Sequence, residues 1–393
     1  MRILIFICGE GLGHTSRCTA LGRELLAAGH EVHFGAYGYS KKFVERKGYK
    51  THELPPEIKL VGASGGLDLK KSVLETLKGG NAAGLLKVLK LLKETDPEIV
   101  VSDSYFTGVL ASKIRKLPVY FIVNQSNMEV FFKNGGIAFQ GLGSLIKLVY
   151  RDVFRRVDRV IVPDYPLPFT LCKLNLDFES QISKEVFFSG PLVLKKYDEV
   201  TPLPLKNPHV LSLIGGFGYR KPIFDKILEV ANLDRSINYT LLSGPNLDPS
   251  VFSSLPANVT LKPFIEDQFP YLKASELVIA PGGHSTIMEA LSFGIPVLSF
   301  PDMKHFEQES NAKGLEVGGF GKSLSYEASS AQILSSIKEL LEDKKIRENV
   351  KRMKNLSEEL NAPVAIRQLL EPKQKAYSRE AKRTGAKGPG FHE

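Results

Sequence analysis

The residues best placed for chemistry lie at a turn in the second half of the chain. Over residues 280–301 a strand ends, Pro281-Gly282-Gly283 turns, Ser285 to Phe293 follows with helical spacing, Gly294 caps the helix and Pro296 opens another strand. Glycine lets a backbone approach a ligand closely, and the free amides and positive dipole end of a helix suit a diphosphate. Gly283, His284, Ser285 and Thr286 stand at that turn, and the two hydroxyls add donors. Glu289, one turn later on the same face, can accept from two ribose hydroxyls. The plainer alternative is that Ser285 caps the helix and Glu289 is a solvated first-turn acid. Past the next strand, Glu307-Gln308 and Asn311-Ala312 form a polar cluster suited to sugar hydroxyls. Gly215 and Gly216, in LSLIGGFG, make a second glycine turn at a strand end.

The elements that must position these residues alternate strand and helix. Residues 2–8 are a near-continuous apolar run, as expected of a strand covered on both faces. Thr15 to Ala28 places Cys18, Leu21, Leu25 and Ala28 at helical spacing, with Gly29 as C-cap. Apolar runs then precede Asp103, Asn124, Pro163 and Gly190, and a second series follows residue 208. This alternation predicts an α/β protein with two doubly wound parallel sheets, facing each other at the carboxyl ends of their strands. Residues 197–208, rich in Pro and charge, are read as the linker. The last helical stretch, about 331–370, is expected to break at Pro363.

Composition bounds the class. The chain has 393 residues, 43% hydrophobic and 24% charged, which fits two globular domains. Its three cysteines have neither an even count nor metal-like spacing, so a reducing cytoplasm is expected. ILIFIC near the start runs into a glycine turn without a small-residue cleavage site, and is read as a strand. No apolar run approaches the roughly 20 residues that span a bilayer. The net charge of +9 invites a nucleic-acid reading, yet no nucleic-acid motif or interleaved aromatic patch accompanies it, so nucleic acid is not an expected partner. Residues 373–393 carry six Lys or Arg against two Glu and are expected to be a disordered basic tail.

The stretch PGGHSTIMEALSFGIPVLSFPDMKHFEQESNA resembles the donor-binding signature of glycosyltransferases of the GT-B fold, which have two facing Rossmann-like domains. It is closest in style to family 28, which includes the bacterial lipid-II-forming N-acetylglucosaminyltransferase, and is similar to the family 1 uridine-diphosphate glycosyltransferases. The resemblance implies that Gly283, Ser285 and Thr286 hold a diphosphate, Glu289 the ribose, and Glu307 and Gln308 the transferred sugar. LKPFIEDQFPYLKASELVI is similar to the family stretch over the nucleotide base, which makes Phe264 and Ile265 its neighbours. Plant members begin the donor motif with a histidine; this chain has Pro281, as befits family 28.

GEGLGHTSRCTALGRELLAAGHEV resembles the amino-terminal motif of the same families, with Gly11 and Gly13 in a loop on the acceptor side that ends at His14. A dinucleotide fingerprint does not apply: His14 takes its sixth position and no acid ends the second strand. An inverting transfer needs a base to take the acceptor hydroxyl's proton, and His14, at a helix N-terminus that disfavours imidazolium, suits the task. The alternative is a loop histidine that shapes the turn. PEIVVSD resembles the family segment carrying the base's acidic partner, which makes Asp103 the group that orients His14; a strand-end Asp capping the next helix is the alternative. No Asp-x-Asp motif is present, and neither a metal nor a cofactor is expected, the nucleotide sugar being a substrate.

The domains expected are 1–196 on the acceptor side, 209–355 on the donor side, a helix at 356–372 packing back on the first domain, and the tail. Residues 145–159, with Leu145, Leu148, Val149, Val153 and Val157 near one helical face, read as a basic amphipathic helix packed by that face on the sheet with a solvated charged face, or alternatively as a contact for an anionic membrane. A GT-B-type epimerase and a non-catalytic nucleotide-sugar or nucleic-acid binder are the competing functions. The acceptor, whether lipid-linked, glycan or small molecule, stays open.

Overall fold

The computed structural model describes the chain except for residues 10–11, 58–61, 64–65, 68–80, 134–135, 179–181, 183–184, 216–219, 245–247, 249, 251, 253 and 372–393. Gly11, Gly216 and the basic tail therefore lie outside the described residues.

The first apolar run becomes β1 (Arg2–Ile7), buried after its first residue. After it come α1 (Leu12–Ala27), β2 (Glu31–Ala36), α2 (Gly38–Arg46) and β3 (Lys50–Glu53), then a short hairpin of β4 (Gly62–Ala63) and β5 (Gly66–Leu67). The first half continues through α3 (Asn81–Thr95), β6 (Ile99–Asp103), α4 (Phe106–Ile114), β7 (Val119–Ile122), α5 (Ile137–Arg156), β8 (Arg159–Val162) and β9 (Val186–Phe188). Seven strands form a parallel sheet in the order β3-β2-β1-β6-β7-β8-β9. Strand order reverses between β1 and β6, where Ile7 pairs with Asp103.

The second half repeats the plan. It runs β10 (His209–Ser212), α6 (Lys221–Leu233), β11 (Asn238–Leu242), β12 (Val259–Lys262), α7 (Phe269–Lys273), β13 (Leu277–Ala280), α8 (His284–Ser292), β14 (Val297–Ser299), α9 (Phe306–Val317) and β15 (Gly321–Ser323). Its six strands are parallel in the order β12-β11-β10-β13-β14-β15, reversing between β10 and β13. Ligands of such sheets bind outside the carboxyl ends of strands at that reversal. His14 and Asp103 stand there in the first sheet, Gly215 and Gly283 in the second.

Each sheet is buried on both faces, so there are two apolar clusters per sheet. The last described elements are α10 (Ser330–Glu342), α11 (Lys344–Leu360) and α12 (Ala362–Leu370). The stretch expected to break at Pro363 is thus cut twice, at Asp343 and Asn361. Asp343 accepts from the amides of Lys345 and Ile346 at 2.8 and 3.0 Å, a helix N-cap with no glycine or proline to announce it. Asn361 takes the left-handed conformation at φ 43°, and Pro363 sits in the first turn of α12, where its missing N–H breaks no bond. Ala362, Ile366 and Leu370 join the core of the first half beside Cys18, Leu21 and Leu25.

Helix α5 also departs from expectation. It starts earlier than 145 and packs through Gly143, Ile146, Tyr150 and Phe154, while Leu145, Leu148 and Val149, read as its inward face, are exposed. Val153 and Val157 are partly buried as expected.

Candidate active site

The loop after β1 delivers the chain into α1, so that His14 lies in that helix's first turn. Its Nδ1 is 2.8 Å from Asp103 Oδ1, and its side chain keeps 24% of its surface exposed while Asp103 is fully buried. Asp103 does not cap the following helix. It accepts instead from Arg17 Nε at 2.6 Å, Arg17 Nη2 at 2.5 Å and the Cys18 thiol at 3.2 Å. Burial pushes the Asp103 carboxyl up, but the Arg17 guanidinium outweighs it and holds the group well below the usual carboxylate range. Arg17 was not singled out in the sequence, although it lies three residues after His14 on the same helical face.

The donor-side turn meets this histidine loop directly. Gly283 is the N-cap of α8, and a Cβ there would enter open space. A Cβ on Gly13 would fall 2.4 Å from Ser285 Oγ, so that glycine is what lets the first turns of α1 and α8 approach. Thr286 follows Ser285 in the first turn, half-buried like it. Gly282 is held elsewhere: its Cβ would strike the Gln308 carbonyl at 2.3 Å.

Glu289 is buried, not a solvated acid. It accepts from Ser16 Oγ of α1 at 3.0 Å and from Gln268 Nε2 at 2.6 Å. Burial pushes it up to about 7, with those two hydrogen bonds opposing. Glu307 accepts from Asn124 Nδ2 of the first half at 2.7 Å. Two acids of the donor half are therefore each held by a neutral donor from the other half. Phe264 meets Tyr39 of α2 edge-on at 5.9 Å, and Ile265 packs against the second core. Gly215 presses on β11, where a Cβ would lie 2.4 Å from the Leu242 carbonyl.

Two residues expected on the donor point elsewhere. The imidazole of His284 is buried inside the molecule, its Nε2 3.5 Å from Asp164 Oδ2, so it cannot meet a diphosphate. Its place in the motif gave its backbone position but not its side-chain direction. Gln308 has both ends of its amide engaged by Asp302, donating to Oδ2 at 3.1 Å and accepting from the Asp302 amide at 2.9 Å. It shapes the loop that carries Glu307 and does not offer a group to sugar hydroxyls. The Asp302 carboxylate is in turn forked by Arg220, whose Nη1 donates to the Ile214 and Gly215 carbonyls. Arg220 thereby fastens one glycine turn to the other loop, a link that two distant sequence positions did not announce.

Among the described residues, Asp164, Cys172 and His284 bring one possible metal-ligating atom each within 4.8 Å of one another. Asp164 Oδ2 already accepts from Thr170 Oγ1, the Leu171 amide and the Cys172 amide at 2.8, 2.9 and 3.0 Å. That oxygen therefore already serves three donors of its own loop.

Two facing parallel α/β sheets, each presenting a glycine turn at its point of reversal, define a GT-B-type glycosyltransferase. The chain matches the glycosyltransferase family 28 C-terminal domain over residues 224–369 and glycosyl transferase family 1 over residues 1–169. A glycosyltransferase of Methanosarcina mazei is 58% identical over 94% of this chain and 98% of its own length. The UDP-N-acetylglucosamine–N-acetylmuramyl-(pentapeptide) pyrophosphoryl-undecaprenol N-acetylglucosamine transferase of Bacillus pumilus is 26% identical over 94% of this chain and 97% of its own. The calicheamicin glycosyltransferase CalG4 has the same fold, with a TM-score of 0.70 at 20% identity over 94% of this chain and 97% of that one. The chain belongs to the family 28 and family 1 type of GT-B glycosyltransferases.

Proposed function

We propose that this enzyme is an inverting glycosyltransferase that moves a hexose or N-acetylhexosamine from a uridine diphosphate sugar to an acceptor hydroxyl, without a metal. The observation that carries the reading is the pairing of His14 with ionised Asp103 directly opposite the Ser285 and Glu289 face of α8. His14 takes the proton of the acceptor hydroxyl as that oxygen attacks the anomeric carbon, and Asp103 stabilises the imidazolium that forms. The diphosphate leaves toward the amides and dipole of α8, with Ser285 and Thr286 donating, so its charge meets preorganised groups. Glu289 accepts from the ribose and Glu307 from the sugar, each exchanging its present partner for donor hydroxyls. Phe264 and Ile265 flank the base. The Bacillus relative's use of a UDP-sugar favours uridine.

Incubation with labelled UDP-sugars tests the reading: slow hydrolysis, faster with an acceptor, and unaffected by excess chelator, is expected. Loss of activity that only a divalent ion restores would reject the metal-free mechanism, and interconversion of the sugar would favour an epimerase.

Among the described residues no helix is long and apolar enough to cross a membrane. We place the enzyme at the cytoplasmic face of a membrane through α5. Ile137, Leu145, Leu148 and Val149 of that helix are 90, 57, 51 and 52% exposed, and Lys147, Arg155 and Arg156 flank them. Co-sedimentation with anionic vesicles at low salt is expected, weakened by Leu148→Glu; a protein that stays in the supernatant removes this part.

A further inference from the structure

We infer that Arg17 is a positioning residue for the transfer: its grip on Asp103 fixes which ring nitrogen of His14 carries the proton, and its reach to Asn124 links that choice to Glu307 on the donor side. The inference rests on the proposed role of His14 as base.

Arg17 lies one turn beyond His14 and is 3% exposed, against a fully buried Asp103. Its fork takes both carboxylate oxygens, Nε to Oδ2 at 2.6 Å and Nη2 to Oδ1 at 2.5 Å. His14 Nδ1 is 2.8 Å from Oδ1 and also 2.8 Å from Nη2. These three atoms make a nearly equilateral triangle. The two N–H bonds of a guanidinium nitrogen diverge too widely to point along two of its sides. The shortest side belongs to the bond from Nη2 to the carboxylate, so the approach of Nη2 to the imidazole is the more bent of its two contacts. Nδ1–H is thus assigned as the donor to Oδ1, because a bare Nδ1 would set its lone pair against an ionised oxygen. That tautomer leaves the Nε2 lone pair free to accept a proton.

The same guanidinium reaches Asn124 Oδ1 with Nη1 at 3.4 Å, and Asn124 Nδ2 donates to Glu307 Oε1 at 2.7 Å. The carbonyl of Asn124 therefore faces Arg17 and its amide nitrogen faces the donor half. When donor hydroxyls take over Glu307, Asn124 loses one partner and its hold on the guanidinium changes. Other ionisable groups against this line are the thiol of Cys18 on Asp103 and Glu289, which reaches α1 through Ser16. A lysine at 17 would bring the same charge as a point, gripping one oxygen and leaving the carboxylate free to turn.

The test uses the full chain labelled with ¹⁵N-histidine, in buffer alkaline enough for imidazoles to be neutral, with His14 assigned through His14→Gln. Wild-type protein is expected to show Nδ1–H at His14. Arg17→Lys is expected to give a mixed tautomer, to lower kcat about 10-fold or more, and to change the donor KM by less than about 3-fold. Should that variant not fold, Arg17→Gln, which donates to one oxygen only, carries the same two readouts. Asn124→Ala tests the link: adding UDP-N-acetylglucosamine should shift the His14 nitrogen resonances in wild type and not in the variant. A folded position-17 variant with the wild-type tautomer and kcat overturns the inference, as does an unchanged donor-induced shift in Asn124→Ala. If the tautomer responds as stated while His14→Ala keeps full turnover, Arg17 still sets the ring and the base assignment is what fails.

Discussion

Glu289 is a buried carboxyl whose two hydrogen bonds come from uncharged groups, and its value near 7 has a consequence for stability. The folded value lies above the ordinary one, so the folded protein binds more protons than the unfolded chain between about pH 4.5 and 7. Stability contributed by the protonated form is therefore lost as pH rises through that window, by about 3 kcal/mol if the whole shift is realised. Glu289→Gln should abolish this loss, making urea unfolding flatter from pH 5 to 7.5 than in wild type; equal slopes would show that the carboxyl is ionised throughout. A carboxylate accepts from two ribose hydroxyls better than a protonated acid, so UDP affinity should rise over the same window in wild type and not in the variant. At His14 the change to Ala should lower turnover by about 100-fold or more while calorimetry finds UDP bound as before. His14 and Asp103 were legible because a glycine loop and a strand end fix where their side chains start. Arg17 was legible in principle, three residues beyond His14, but nothing in a single sequence tells a buried cation from a solvated one. His284 shows the opposite failure, since a residue inside a ligand-binding turn can point into the core.

At the scale of elements, Gly282 and Gly283 are adjacent and serve different ends. Gly282 touches the backbone of α9, and a methyl group there would have to push the Gln308 carbonyl from 2.3 Å. Gly283 is the cap of α8 with ordinary φ of −66° and open space beyond its hydrogen. Gly282→Ala should therefore cost about 1–3 kcal/mol and lower the melting temperature. Gly283→Ala should melt as wild type but bind UDP more weakly, because its methyl occupies the space where a phosphate would approach the amides. Equal melting of the two variants would mean that the α9 contact yields easily. The parallel sheets were readable from apolar runs that must be covered on both faces. Helix limits after residue 330 were not, because Asp343 serves as both the end of α10 and the cap of α11 without a glycine or proline. The face of α5 was misread for a related reason: it has apolar residues on more than one side, so periodicity alone did not choose which side meets the sheet.

At the scale of the whole molecule, the two halves are joined among the described residues by polar bonds, by α12, and by an apolar cluster in which Tyr165 and Leu171 pack with Ile287, Met288 and Leu315. Across the facing loops the polar bonds include Ser16 to Glu289, Asn124 to Glu307 and the buried pair Asn175 to Asn311. At the far end α12 crosses from the second half to seal the first, with Ile366 fully buried and Arg367 bonded to Glu24 of α1 at 2.9 Å. Ile366→Ala should cost about 2–5 kcal/mol, as a cavity in a packed core does. Because the cavity opens under α1, the loss should be felt in the first sheet although the substituted residue follows the donor half in sequence. Hydrogen exchange should accordingly quicken in β1, β2 and α1 and leave β10, β13 and α8 near their wild-type protection. Exchange that quickens in the second sheet instead would show that α12 belongs with the donor half and not with the core of the first.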